Sequence, residues 1–260
     1  MKAQGPSRSQ APYRAKAALA RLGPLYRWAR RGRAAARYAR GRPHDPDFAA
    51  FGRLPGDGLF LDVGASIGQS ALSFRIFNRD SPILSLEPLP SHRGDLKLVR
   101  RLIRGHRFMT VGAAEETRRA TLFVPMLGAY ALPAEASLNR EDAASVLDRL
   151  ESEGGSRSRL WLEEVEIELR RLDELELSPA FVKIDVEGAE LGVLEGLRET
   201  LARCHPALMI ERSERINQAV ELLTGEGYRP FVYDASSKDF RPYTDQPAVN
   251  VFFLREEHAA

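Results

Sequence analysis

A chain of 260 residues with 43% hydrophobic content can bury one substantial core. A doubly wound sheet alone takes about 200 residues, which argues against a second domain. Residues 1–44 carry twelve Lys or Arg and no acid, so the rest holds 38 − 12 = 26 basic against 36 acidic residues, and any anionic partner is directed to the extension.

The single cysteine, Cys204, excludes an intrachain disulfide and reads as a packing position. No stretch approaches the roughly 20 apolar residues of a bilayer span, and the first residues lack the apolar centre of a secretory signal. A cytoplasmic protein without a transmembrane segment is expected.

Residues 1–12 are polar with Gly and Pro and read as disordered. From Leu25 to Arg40 apolar residues recur at helical spacing with arginines interleaved, and Gly23-Pro24 breaks any longer helix. After Arg42-Pro43-His44-Asp45-Pro46 the texture changes to short apolar runs alternating with amphipathic stretches, the pattern of a parallel sheet with crossover helices. The expected division is a basic, partly helical extension over 1–44 and one domain over 45–260 with an insertion at about 125–159.

Strands are predicted at Leu59–Val63, Pro82–Leu86, Phe108–Gly112, Ala180–Asp185, Ala207–Glu211, Tyr228–Tyr233 and Val249–Leu254, with helices over 67–77, 91–104, 189–202 and 214–226. Between the third and fourth strands lie extended pieces at Ala120–Val124 and Trp161–Leu169 around an irregular stretch, Pro125–Arg159, in which Asn139–Ser152 reads as a charged helix. The link Asp234–Ala248 has no helical periodicity, which suits an antiparallel last pair.

The most informative stretch is LFLDVGASIGQSAL, an apolar strand running through Asp62 and Gly64 into a turn and a helix. In a doubly wound fold ligands sit at such strand ends, and Gly64 allows close backbone approach. The second strand ends in Glu87, 23 residues after Gly64, where a carboxylate can bind two ribose hydroxyls. These features leave a dinucleotide and S-adenosylmethionine open. The turn Gly64-Ala65-Ser66-Ile67-Gly68 lacks the middle glycine of a dinucleotide fingerprint, and Asp62 would repel a pyrophosphate but favour an α-amino group.

The fourth strand ends in KIDVEGAE. Asp185 on an otherwise apolar strand must face the pocket or be paired, Gly188 is expected at positive φ, and Glu190 complements the following helix dipole. Lys183 alternates with Val182 and Ile184 and reads as pointing away from the pocket. Asp185 and Glu211 could reach one hard cation, but no second ligand beside Glu211 is apparent, Glu211-Arg212 also reads as an ion pair, and no metal is expected.

With these motifs the sequence resembles the FkbM family of S-adenosylmethionine-dependent methyltransferases: LDVGASIGQSAL, SLEPLP, VGAAEETRRATLFV, RRLDEL, FVKIDVEGAELGVLEGL, ALMIERSE and VNVFFL carry the likeness, roughly from Leu59 to Leu254. The resemblance implies a Rossmann-like class I methyltransferase fold, an α/β architecture with a seven-stranded, mostly parallel sheet, an antiparallel last strand and helices on both faces. It further implies a cofactor site of Asp62, Gly64, Ala65, Ser66, Gly68, Gln69, Glu87, Gly112, Ala113 and Asp185, with Asp185 and Glu187 as catalytic residues. Ser66 stands where the family often has Asn.

The activity expected is O-methylation of a hydroxyl on a sugar, lipid-linked or secondary-metabolite acceptor. An N-methyltransferase of the same fold and a non-catalytic nucleoside-cofactor-binding protein are the alternatives. For the basic extension, peripheral contact with an anionic membrane or partner is preferred over nucleic acid, because the body is acidic and lacks an aromatic-basic face.

Overall fold

The computed structural model describes residues 28–258; the expectations for residues 1–12 and for Gly23-Pro24 lie outside them. Residues 28–39 form helix α1, and the predicted start at Leu25 is likewise outside the described residues. The chain forms two compact units, one of Arg33–Arg118 with the stretch from Glu168 onward, the other containing Arg119–Ile167.

In the larger unit the chain runs β1 (Leu59–Val63), α2 (Gln69–Phe77), β2 (Ile83–Leu86), α3 (Arg93–Leu102), β3 (His106–Met109) and β4 (Gly112–Ala113). The smaller unit follows, with β5 (Arg118–Leu127), β6 (Tyr130–Ala131), α4 (Arg140–Ser152) and most of β7 (Leu160–Arg170). Then come β8 (Pro179–Ile184), α5 (Glu190–Gly196), α6 (Arg198–Cys204), β9 (Ala207–Glu211), α7 (Ile216–Gly225), β10 (Arg229–Asp234), β11 (Asp239–Pro242) and β12 (Asn250–Leu254).

The main sheet has the order β11-β10-β12-β9-β8-β1-β2-β3. Its pairs from β3 to β9 are parallel, while β12 runs antiparallel to β9 and β10. The topology switches beside β1, where chain order leaves for β2 on one side and β8 lies on the other, so a ligand crevice opens at the carboxyl ends of these strands. This is the Rossmann-like class I methyltransferase arrangement, with one strand more than the seven expected. The eighth, β11, arises because the Asp234 carboxylate accepts the Ser236 N–H at 2.9 Å and Lys238 takes a φ of 56°, folding the chain back so that Asp239 pairs with Asp234.

Period-two alternation divides the sheet residues between two cores. Leu61, Val63, Leu84, Leu86, Val182, Ile184, Leu208 and Ile210 pack with Val193, Leu194, Leu201 and Leu223 of the helices after β8 and β9. On the other face Phe60, Ile83, Phe181 and Met209 meet Phe74 of α2 and Phe48 and Phe51 of the 3-10 turn Pro46–Gly52. Phe51 is the hub, its ring centroid 5.3 Å from Phe74, 5.4 Å from Phe60 and 5.7 Å from Phe181. Each ring sealed here contributes on the order of 1.5–3 kcal/mol, which binds the segment just before β1 to the sheet.

The helix expected over 189–202 is broken at Leu197. A Cβ on Gly196 would lie 2.1 Å from the Ala114 carbonyl oxygen, so glycine admits that close backbone contact, and Leu197 leaves the α conformation with φ −107° and ψ 2°.

In the smaller unit β5 and β6 form an antiparallel hairpin, and α4 covers it with Leu147 and Leu150 against Leu127, Leu132 and Leu160. Asn139 caps α4 by accepting the Glu141 N–H at 2.8 Å.

Candidate active site

Parallel neighbours in register present their side chains on one face, and Asp62 of β1 is flanked by Ser85 of β2 and Lys183 of β8. Asp62 is fully buried. Its Oδ2 accepts the Ser85 hydroxyl at 2.9 Å, and His106 Nε2 lies 3.1 Å from the same Ser85 oxygen. Asp62 Oδ1 has no hydrogen-bond partner among the described residues. Burial raises the Asp62 carboxyl to about 6, against the pull of Lys183, while burial and the nearby Arg75 and Arg100 hold the His106 imidazole down to about 4 and therefore neutral.

Lys183 and Asp185 are two apart on β8 and share a face, and Lys183 Nζ donates to Asp185 Oδ2 at 2.7 Å. The Lys183 side chain is only 3% exposed and that of Asp185 31%. Burial acts to lower the lysine, but Asp185 and Asp62 outweigh it and its pKa rises. Burial likewise acts to raise Asp185, and the Lys183 ammonium overrides it, bringing the carboxyl down to about 2. The expectation that Lys183 points away from the pocket is corrected: it is sealed beneath the strand ends with its charge on Asp185.

Glu211 ends β9. Its carboxylate, with those of Asp185 and Glu187, offers oxygens that all lie within 4.8 Å of one another. Three carboxylates so placed repel one another unless positive charge enters. The Lys183 ammonium lies among them, and burial first, then Asp185, raise Glu211 to about 9, so it is protonated at neutral pH. Arg212 does not pair with Glu211 as the sequence suggested; it donates to the Tyr243 hydroxyl and to Asp245, both at 3.2 Å.

Glu187 is exposed, with φ 52°, and Gly188 follows at φ 99°, the positive value expected of it. Glu190 pins this turn by accepting the Gly188 N–H at 2.9 Å and the Ser213 hydroxyl at 3.0 Å. A bulky residue in the left-handed region costs on the order of 1–3 kcal/mol, here at the mouth of the cluster.

The loop after β1 is held as tightly. The N–H groups of Gly64 and Ala65 donate to the Leu86 carbonyl at 3.0 and 2.9 Å, and Ser66 N–H donates to Glu87 Oε2 at 2.7 Å. A Cβ on Gly64 would fall 1.7 Å from the Asp185 carbonyl oxygen, so this glycine answers to the neighbouring strand end. Ser66 itself has φ 49°, which explains a family preference for Asn, the residue that tolerates this region best after glycine. Glu87 also accepts the Leu89 N–H at 3.0 Å and lies 3.2 Å from His92 Nδ1, and is 6% exposed.

A sequence model of the methyltransferase FkbM domain matches residues 62–230, well over half of the chain. The chain belongs to the FkbM methyltransferase family. Among curated proteins none matches it. Solved structures similar to it include an FkbM methyltransferase from Methylobacillus flagellatus KT, 18% identical with a TM-score of 0.49, where 78% of this chain aligns with 48% of that one. It is also similar to a precorrin-6y C5,15-methyltransferase from Geobacter metallireducens GS-15, 14% identical over 79% of this chain and 82% of the other, TM-score 0.40. An rRNA methylase from Streptococcus thermophilus is 12% identical over 81% and 93%, TM-score 0.41.

The cofactor of this FkbM methyltransferase is S-adenosylmethionine. The residues fit it. The orphaned buried oxygen of Asp62 marks a carboxylate at the end of β1 in want of positive charge, the complement of an α-amino group, and Glu87 keeps further lone pairs on the oxygens that order the turn. Gln69 opens α2 after Gly68, which caps it at φ 81°, and Gly112 and Ala113 make up β4, paired with Leu169 and Arg170.

Sequence reasoning missed two residues at this edge. Lys183 was legible from its two-residue offset to Asp185. His44 was not: it faces Asp185 electrostatically and is anchored on Ser73, whose hydroxyl lies 2.9 Å from its N–H and 2.8 Å from its Nδ1.

Proposed function

We propose that this FkbM methyltransferase methylates a hydroxyl on a sugar, lipid-linked or secondary-metabolite acceptor, with Asp185 receiving the hydroxyl proton and Glu187 orienting the acceptor at the rim. The observation that supports this is the partly buried Asp185 carboxylate, kept ionised by a buried lysine beside a protonated Glu211. S-adenosylmethionine held there would supply a methyl group on a sulfonium; the acceptor oxygen would form the new O–C bond as the C–S bond breaks, its electron pair staying on sulfur.

A carboxylate near 2 is a poor base toward a free alcohol. It suffices once the oxygen carries the incoming methyl, because the resulting oxonium is far more acidic than any carboxylic acid. Asp185 therefore orients the hydroxyl through a charge-assisted hydrogen bond and takes the proton late.

We propose further that Asp62, Gly64, Ala65, Ser66, Gly68, Gln69, Glu87, Gly112, Ala113 and Asp185 hold the cofactor, and that residues 45–260 form the methyltransferase domain with an insertion at about 125–159. Calorimetry is expected to give heat with S-adenosylmethionine and none with a dinucleotide, and Glu87→Ala is expected to weaken binding by about tenfold to a hundredfold, the worth of hydrogen bonds to a charged group. A wild-type protein silent toward S-adenosylmethionine sinks the cofactor site. Analysis of labelled product from fractionated small molecules and lipids separates oxygen from nitrogen acceptors.

No helix among the described residues is long and apolar enough to cross a membrane. A cytoplasmic location is proposed, with the basic extension touching an anionic membrane surface. In support, Arg33 and Arg37 on α1 and Arg40 just after it are exposed at four- and three-residue spacing, while Ala34 and Tyr38 pack on the aromatic core. Arg33, Arg37 and Arg40→Gln together are expected to lower sedimentation with anionic vesicles by about a hundredfold, at roughly 1 kcal/mol per charge. Undiminished sedimentation of the triple variant would exclude that contact.

A further inference from the structure

We infer that Lys183 is a positioning residue for methyl transfer: its ammonium, sealed under the strand ends, fixes one oxygen of Asp185 and holds that carboxylate as an anion turned to the acceptor. The inference rests on the role given to Asp185 above.

Packing alone does not call for a cation at this position. The register partner of Lys183 on β9 is Met209, a fully buried apolar side chain on the same face, so an unbranched apolar residue fits the layer. A lysine in its place carries a desolvation cost of several kcal/mol that only close opposite charge offsets. The charge goes to Asp185 at 2.7 Å, although Asp62 stands beside it in register on β1.

The ionisable groups around the pair come from every neighbouring element. Asp62 faces it from β1, Glu211 from β9, Glu187 from the turn after β8 and His44 from the segment before β1, with Glu87 beyond Asp62 on β2. Four of these five groups are carboxylates that press on Asp185 or its neighbours, and Lys183 is the buried cation among them. With its ammonium on Asp185, the proton shared by the acids resides on Glu211, and the group facing the acceptor stays ionised.

The test needs no acceptor. Full-length protein carrying carbon-13 at the Asp and Glu carboxyls is titrated by carboxyl NMR. In wild type Asp185 is expected to stay ionised below pH 3 and Glu211 to stay protonated at pH 7. Lys183→Met is expected to raise the Asp185 midpoint by about two units, within the range a close opposite charge commands, and Lys183→Arg to restore most of the low midpoint. An Asp185 midpoint within about half a unit of wild type in folded Lys183→Met overturns the inference. Should Lys183→Met fail to fold, the wild-type titration decides, since an Asp185 protonated at pH 5 overturns it equally. Retained methyl transfer in Asp185→Asn would defeat the base role without moving the wild-type titration, so the two failures are distinguishable.

Discussion

Asp185→Asn is expected to lower methyl transfer by about two to four orders of magnitude, the range for losing a positioned proton acceptor, if Asp185 has the role proposed for it. Asparagine preserves the shape of the side chain, and its amide can still meet the acceptor hydroxyl, but it cannot take a proton. S-adenosylmethionine binding, measured by calorimetry, is expected to change far less than the rate of labelled methyl incorporation. The substitution also strands Lys183, which keeps Asp62 and Glu211 as acidic neighbours but loses its hydrogen-bonded partner, and removing one partner of a buried pair costs about 3–5 kcal/mol. Lys183→Met with Asp185→Asn removes both charges and is expected to recover most of that stability without recovering activity. Recovery of activity in the double variant would place the proton acceptor elsewhere.

The second large effect is alkaline. Glu211, at about 9 in the folded chain against 4.5 unfolded, binds one more proton in the native state between those values. Its contribution to stability is fully present below about 4.5 and is lost as pH rises through 9, at up to about 1.4 kcal/mol per pH unit. Asp185 has the opposite sign: with a folded value near 2 against 3.8, its contribution is present above 3.8 and lost as pH falls toward 2. Asp62, raised to about 6, acts in the direction of Glu211 but exhausts its effect by that pH. Between pH 7 and 9, therefore, urea unfolding should show wild-type stability falling while Glu211→Gln stays flat. Methyl transfer should also decline above about pH 9 in wild type, as a second carboxylate ionises against Asp185, and the decline should be absent from Glu211→Gln. A flat wild-type profile would mean that Glu211 is ionised throughout.

Much of the sheet was legible because most parallel strands are largely apolar and run into a polar residue, as in LFLD and LSLE; β3, His106–Met109, opens on His106-Arg107 and was therefore expected too late, at Phe108–Gly112. β1 and β9 appear with the predicted limits, and β2, β8, β10 and β12 are displaced by only a residue at either end. What stayed hidden depends on tertiary contact. The break at Leu197 follows from the Ala114 carbonyl against Gly196, a neighbour 82 residues away in sequence. β11 depends on an Asp-centred turn in a segment with no apolar signature. In the site, carboxylates at strand ends were readable one by one, since a lone acid in an apolar strand needs a reason. Their charge states were not, because these turn on Lys183 and Glu211 meeting Asp185 at distances that only the folded sheet sets. Lys183 was misread through attention to its apolar neighbours rather than to Asp185, the residue two positions on.

The contact of Gly64 with the Asp185 carbonyl makes the donor and acceptor sides of the reaction one mechanical body. With no room for even a methyl group between them, the turn proposed to meet the cofactor cannot shift without carrying the proposed proton acceptor along. On the proposed roles, the spacing of these two groups is set when the chain folds, rather than assembled at each turnover. Divergence toward new acceptors has to leave this joint untouched and work through residues outside it.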